Sequence, residues 1–305
     1  MRWLIARLLS GVMAAFVAFA LVFSLLRLIP GDPVELMLGE QAQPAAMERM
    51  RAHLGLDRPW SEQLAGAFAG LMRGDLGTSL TSHQPVSRLI AVRIGPTAAL
   101  AASAMAVALL IAWPIGLRAG WWPGSRADRA GRVFATLGIS IPNFWLGPVL
   151  LLVFAVTWPV FPLGGYRSYS ALVLPAVTLG TALAAMLTRL LRASLFDVRQ
   201  QTFVVAARAR GLDARQVLWR HALRPALSPV WTVFGLQVGA LLSGAVITET
   251  VFQWPGVGRL LIDAVRARDY PVVQGVVVLL TGIYVVVNVV IDIGYAIIDP
   301  RVRSR

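Results

Sequence analysis

The sequence of 305 residues contains no cysteine. That excludes disulfides, thiolate nucleophiles and sulfur-ligated metal sites. It contains no lysine either, so all 28 basic residues are arginines. A phosphate-binding P-loop needs its lysine beside the β/γ-phosphates, so the chain holds no ordinary Walker A site and is expected neither to bind ATP with Mg²⁺ nor to hydrolyse it. The three histidines, His53, His83 and His221, stand far apart and outside any H-E-x-x-H spacing, so no metal site is expected. Charged residues make up 14% of the chain, against about 25% in a soluble domain. No internal repeat or low-complexity tract is evident.

What is present is hydrophobic: 57% of the residues are apolar, the composition of a membrane protein. A crossing helix needs about 20 apolar residues. Six stretches supply them, at 8–29, 96–117, 133–158, 172–191, 230–247 and 272–298. The first is longer than the apolar region of a secretory signal and lacks an A-x-A site near Pro30, so it is expected to remain as a span. Pro114, Pro142, Pro148 and Pro175 imply kinks or irregular ends.

The arginines follow a topology. Residues 118–132 carry Arg118, Arg126, Arg129 and Arg132 against Asp128, and residues 189–228 carry eight arginines against Asp197 and Asp213. Arg2 and Arg7 precede the first span, and Arg301, Arg303 and Arg305 follow the last. The intervening segments are close to neutral: six arginines and seven acids at 31–95, only Arg167 at 159–171, and three of each sign at 249–271. Six spans place all the positive segments on one side, which the positive-inside rule makes cytoplasmic, together with both termini. A net charge of +13 could suggest nucleic acid, but that function would not segregate the arginines, and no nucleic-acid partner is expected. Residues 31–95 read as turns and short helices capping the outer face, with a stop signal at Pro30–Pro33.

Within the spans, Gly235 and Gly239, followed by Ser243 and Gly244, suggest close helix packing. Asn288 and Asp292 share a face one turn apart, as a structural hydrogen-bonding pair or, alternatively, an ion-coupling site. Arg27 can snorkel from the first span.

The segment 201–228 is the most organised polar part. "QTFVVAARAR" predicts a helix in which Phe203, Ala206, Ala207 and Arg210 share a broad face, and Gly211 suits the left-handed position after it. Asp213 is an expected N-cap with Gln216 three residues on, a capping-box spacing, and Leu212 and Val217 fit a hydrophobic staple. A second helix is expected from Ala214 to about Arg224, ending near Pro225. Val217, Leu218, His221 and Ala222 are expected to form one packed patch ringed by Arg208, Arg210, Arg215, Arg220 and Arg224. A helix, a glycine joint and a helix suggest a surface built for a protein partner; a loop lying on anionic lipid is the plainer alternative.

"AARARG" at 206–211 and "HALRPALSP" at 221–229 resemble the cytoplasmic coupling motif of ABC importer permeases, in which Glu-Ala-Ala is followed after three residues by Gly. Ala206, Ala207, Gly211 and Pro229 match it, whereas Val205 stands in place of the glutamate. "RLIPGDPVELMLG" at 27–39, "LGLDRPW" at 54–60, "GDLGTSL" at 74–80, "ISIPNFWLG" at 139–147, "GAVITETVFQWPGVGRLLIDAVRARDYPVVQG" at 244–275 and "DP" at 299–300 extend the similarity to the first permease subunit of dipeptide/oligopeptide/nickel-type importers.

The resemblance implies an all-α polytopic protein of six transmembrane helices with the type I ABC importer permease fold, in the bacterial inner membrane. Residues 1–95 would form the first helix and outer cap, and residues 96–305 a five-helix core with its coupling region at about 192–228. It implies a second permease subunit, two cytosolic ATPase subunits that use ATP and Mg²⁺, and an extracytoplasmic solute-binding protein. Ala206, Ala207, Arg208, Arg210 and Gly211 would couple to the ATPases, supported by Leu212, Asp213, Gln216, Val217, His221 and Pro229. Di- or oligopeptides are the expected cargo, with glutathione, sugars or nickel complexes as alternatives. An ion-coupled secondary transporter is the reading from a different class. No residue of the substrate path and no catalytic residue is assigned.

Overall fold

The computed structural model describes residues 2–28, 34, 35, 43–53, 55–166 and 168–298. The stop signal at Pro30–Pro33, Arg167 and everything from Asp299 onward lie outside them, as do the side chains of Arg27, Ser243 and Gly244. Every regular element among the described residues is a helix, the helices being joined by turns and loops, with one isolated bridge between Thr78 and Pro85. The chain divides into two compact units, one of Met1–Pro96 with Pro255–Val285 and one of Thr97–Trp254 with Val286–Arg305.

The elements in order are α1 (Arg2–Leu28), α2 (Pro44–His53), α3 (Trp60–Met72), α4 (Val86–Trp121), α5 (Arg126–Ser140), α6 (Asn143–Leu151), α7 (Val173–Arg199), α8 (Thr202–Ala209), α9 (Ala214–Val217), α10 (Leu223–Gly244), α11 (Val246–Val251), α12 (Val257–Arg266) and α13 (Tyr270–Ile298). Among the described residues four stretches are long and apolar enough to cross a membrane: Leu9–Leu26, Val86–Trp121, Tyr169–Arg199 and Tyr270–Gly294. The pair α5 and α6, bent by 97°, makes a fifth if it is one span. The structure therefore supports four or five spans where the sequence suggests six.

Two differences have local causes. The stretch at 133–158 is not one straight helix. Pro142 disfavours helical backbone at the residue before it; Ile141 takes φ −86° and ψ 115°, and α6 starts in a new direction. The stretch at 230–247 belongs to a helix that begins earlier, at Leu223, and runs through Pro225 and Pro229. No break occurs at Pro225 because a π turn, Leu218–Ala222, precedes it. The wider turn accommodates a residue that can neither donate a backbone hydrogen bond nor tolerate the tight packing of a regular preceding turn.

The second unit is organised around α7, which buries thirteen residues between Leu174 and Leu195. Its neighbours reach it through small residues. Ala101, Ala104, Ala108 and Ala112 of α4 share a core with Ala176, Leu179, Leu183, Ala184 and Leu187 of α7. A Cβ on Gly180 would lie 2.8 Å from the Ala104 carbonyl oxygen, one on Gly138 of α5 2.6 Å from Ala185 Cβ, and one on Gly116 3.1 Å from Leu191 Cβ. Small faces of this kind let membrane helices pack backbone to backbone. Gly235 of α10 likewise faces Ile291 of α13, and Gly294 faces Trp231, whose Nε1 donates to the Ile291 carbonyl at 3.1 Å. Helix packing thus accounts for Gly235 of the Gly235/Gly239 pair. Two hydroxyls of α7 bond back to their own backbone, Thr178 to Leu174 O and Thr181 to Val177 O at 2.8 Å each, which satisfies them without water.

The first unit has its own core, in which Leu26, Val86, Ile90, Val257, Leu260 and Val276 are buried together. Asp269, 2% exposed, accepts hydrogen bonds from Ser79 Oγ (2.5 Å), Leu80 N–H (3.1 Å), Thr81 Oγ1 (2.9 Å) and Thr81 N–H (3.3 Å). Four donors on one carboxylate repay its burial and tie the 79–81 loop to the start of α13.

Gly120 gives the sharpest test of the packing. Its Cβ would stand 2.8 Å from Leu195 Cβ and 2.9 Å from the Arg192 carbonyl oxygen, whereas nothing lies within 4 Å of one on Gly282. Gly120→Ala is expected to destabilise by about 1–3 kcal/mol through overpacking, despite the roughly 1 kcal/mol gained in helix propensity. Gly282→Ala is expected to be neutral or stabilising, both read from thermal unfolding of the detergent-solubilised chain by tryptophan fluorescence.

Candidate functional site: the α8–glycine–α9 module

Eight residues, Thr202–Ala209, make α8. Val204 and Ala207, three apart, are its buried positions, while Phe203, Ala206 and Arg210 stay exposed. The broad face expected for Phe203, Ala206, Ala207 and Arg210 is therefore split: Ala207 turns to the core and the other three to the surface. At the end of α8, Gly211 has φ +82°. Its N–H donates to Arg208 O at 2.9 Å, and Leu212 N–H donates to Ala207 O at 3.4 Å. This pair of bonds closes a helix through a left-handed residue, the Schellman arrangement.

The chain then restarts at once. Asp213, φ −61° and ψ 147°, caps α9 by accepting from Arg215 N–H at 3.3 Å. Gln216 is exposed and returns no side-chain hydrogen bond among the described residues, so the capping box is only half made. Leu212 and Val217 both join the same apolar cluster, as a staple requires. Val217, Leu218 and Ala222 are buried, but His221 is exposed. The expected patch therefore lacks its histidine, because the π turn re-spaces the side chains after Val217. Pro229 lies inside α10 rather than in the loop.

The module is fastened to long helices. Its cluster gathers Leu117 and Trp121 from the end of α4, Leu191 and Leu195 from α7, Val204 and Ala207 from α8, and Leu223 and Ala226 from α10. Ser194 Oγ donates to Ala226 O at 2.7 Å, joining α7 to α10. Arg208 Cζ lies 5.1 Å from the centroid of the buried Trp121 ring, a cation–π contact. Beside it, Asp128, 2% exposed, accepts from Arg192 Nε at 2.6 Å and from Gly124 N–H at 2.9 Å, with Arg132 Nε at 3.7 Å. The 118–132 segment is thereby pinned to α7.

Sequence reasoning did not single out Trp121, Asp128 or Arg192. The available signal was the sign of one charge, since Asp128 is the lone acid among four arginines at 118–132. The outer surface is mixed: Phe203 (45% exposed), Val205 (57%) and Trp219 (50%) stand among exposed arginines. Such a surface suits a protein partner better than water. Among the described residues no group of three His, Cys, Asp or Glu side chains could hold a metal ion.

Comparison with known proteins bears on the same region. Residues 112–304 match the family described as "Binding-protein-dependent transport system inner membrane component", and residues 1–101 match the N-terminal family of such components. The glutathione transport system permease protein GsiC of Pectobacterium atrosepticum is 40% identical over 100% of both chains, and that of Escherichia coli K12 is 39% identical over the same extent. A solved structure of the MetNI methionine ABC transporter in an inward-facing conformation superposes with a TM-score of 0.59 at 19% identity, covering 70% of this chain and 97% of the other. That likeness is one of fold.

Two substitutions probe the module. Because nothing lies within 4 Å of a Cβ on Gly211, Gly211→Ala adds only the left-handed backbone penalty of about 1–2 kcal/mol, and Gly211→Asn adds less. Faster amide hydrogen exchange over 202–212 in the alanine variant alone is the expected pattern. Asp128→Asn removes a charged acceptor from Arg192 and is expected to cost about 2 kcal/mol in thermal unfolding.

Proposed function

This chain belongs to the binding-protein-dependent transport system inner membrane components, and on that premise we propose that it is the permease of a glutathione importer, linked by α8, Gly211 and α9 to the ATPases that drive it. It is a multi-span membrane permease subunit of an ABC importer, a transport component rather than an enzyme. The family implies a second permease, ATPase subunits and a solute-binding protein as partners. The observation that carries the cargo is the 40% identity, over the whole length of both chains, to a permease named for glutathione transport. It reverses the order suggested by the sequence, in which di- and oligopeptides come first and glutathione is an alternative.

The coupling role rests on the module's construction. A helix pair closed by Gly211 and capped by Asp213 presents Phe203, Val205, Ala206 and Arg210 outward, while its inner face shares one apolar cluster with α4, α7 and α10. A push on the outer face is thus delivered to three long helices by packed side chains, which deform little. In this reading Ala206, Arg208, Arg210 and Gly211 form the contact region, and Ala207, buried in the cluster beneath them, seats it. Leu212, Asp213 and Val217 hold its shape, and Gln216, His221 and Pro229 flank it. Two ATPases, one beneath each permease, bind and hydrolyse ATP. The arginine-rich segments lie on their side, with both termini, and a binding protein delivers cargo opposite.

The test is uptake by proteoliposomes holding both permeases and the ATPases, with the binding protein outside. ATP-dependent accumulation of glutathione in preference to glycylglycine is the expected result; preference for glycylglycine restores the peptide reading. Gly211→Pro removes the N–H given to Arg208 O and demands φ near −65° where the chain has +82°, costing about 3 kcal/mol or more. Membrane insertion should persist while ATP-linked uptake falls to background, and unchanged uptake would count against the coupling role.

A further inference from the structure

In the first unit a cavity of ≈ 470 Å³ opens between the turn after α2, the start of α3 and the start of α13. That volume is within the range of small-molecule sites, about 300–1,000 Å³. Its walls are fixed by the protein. Gln63 Nε2 donates to Arg58 O at 2.7 Å and Leu56 O at 3.3 Å, holding the 55–58 turn against α3. Thr78 and Leu80 form a second wall, pinned by the bonds of Ser79 and Leu80 to Asp269. Tyr270 and Pro271, the residues after that carboxylate, line a third. The lining Phe23 ring sits edge-on to Trp60 at 6.3 Å.

Four polar side chains that line this space have no such restraint. Arg58, Glu62, Thr78 and Gln274 make no side-chain hydrogen bond or ion pair to protein among the described residues. Arg58 and Glu62 carry opposite charges and are four positions apart, yet they do not pair. An anionic ligand would meet the carboxylate, and a cationic one the guanidinium. A ligand bearing both signs satisfies each. We propose that this cavity binds a small zwitterion, an amino acid or the end of a short peptide, with its carboxylate at Arg58, its ammonium at Glu62, and its amide atoms at Gln274 and Thr78. The pinned walls fix the backbone of the 55–58 turn and of the 78–80 segment before the ligand arrives. The assignment goes beyond the proposed cargo and coupling, and its test involves no transport.

The absence of cysteine makes a single thiol reporter possible. Ala67, which lines the cavity, is replaced by cysteine in the full importer assembly, held in phosphatidylglycerol nanodiscs without binding protein. Maleimide labelling of this chain is then timed with glycylglycine, glycinamide or N-acetylglycine. Glycylglycine should slow labelling, and the two single-charge compounds should not. Arg58→Gln or Glu62→Gln should each weaken the protection roughly tenfold in concentration, as loss of one charge-assisted hydrogen bond predicts. Both side chains are exposed, so neither substitution threatens folding. Absence of protection, or protection that survives both substitutions, overturns the proposal. Protection by phosphatidylethanolamine in the disc, with glycylglycine inert, overturns it in favour of a lipid headgroup. Failure of glutathione uptake would leave this result unaffected.

Discussion

A membrane helix buried from Leu174 to Leu195 on its inner face needs neighbours that can approach its backbone, and α7 meets that need through glycine and alanine. Gly116 and Gly120 bring α4 against Leu191, Arg192 and Leu195, and Gly138 brings α5 against Ala185. Between lipid and a buried interface the hydrophobic effect makes little distinction, so close van der Waals contact has to supply the association. The consequences reach the polar end of the unit. Because α4 lies against α7 at Gly120, its next residue, Trp121, joins the cluster beneath α8. Asp128, a few residues further, meets Arg192 on α7. The module at Gly211 is therefore seated by the same helix contacts that organise the interior.

Local chemistry was legible in the sequence and long-range geometry was not. Gly211 and Asp213 act through backbone within three residues of themselves, and the sequence places both. Four of the six stretches read from hydropathy stand as helices long and apolar enough to cross a membrane. The bend at Pro142 was anticipated only as an irregularity, because proline disfavours a helical predecessor without setting the direction taken next. The π turn at Leu218–Ala222 was not anticipated, and it undoes two expectations together: the break at Pro225 and the inward place of His221. One extra residue in a turn rotates the downstream side chains by about 100°, so a face read at regular spacing fails beyond Val217. The Asp128–Arg192 and Asp269–Ser79 contacts bridge 64 and 190 positions, and no periodicity carries that information.

Buried polarity is handled differently in the helices and at their ends. Inside the apolar helices several threonine and serine hydroxyls donate to a carbonyl one turn back, as Thr178, Thr281 and Ser24 do. The buried carboxylates instead recruit distant donors: Glu249, fully buried, accepts from Thr97 Oγ1 at 2.7 Å, and Asp269 gathers four. An unpaired carboxylate in such surroundings would be expensive, so each is a fastening whose loss exposes the whole desolvation cost. The fastenings lie where segments outside the long helices meet them, at 79–81 on α13, at 124–132 on α7 and at α11 on α4. Those are the places where apolar packing alone specifies least.

The exclusive use of arginine acquires a structural meaning at two of these contacts. Arg192 reaches Asp128 through Nε, a lateral donor on the guanidinium that an ammonium does not possess. Arg208 lies over Trp121, a contact that a planar, weakly hydrated cation makes at smaller desolvation cost than a compact one. Lysine would keep the positive charge, and the positive-inside rule counts lysine and arginine alike. It would lose the lateral hydrogen bond and the stacking. The arginines at 189–228 thus divide by role: most supply charge alone, whereas Arg192 and Arg208 are also held by geometry, Arg192 joining α7 to α5 and Arg208 joining α8 to α4. A substitution that preserves charge is neutral for the first group and disruptive for the second, so the charge of the basic segment and its attachment to the neighbouring helices are separable properties.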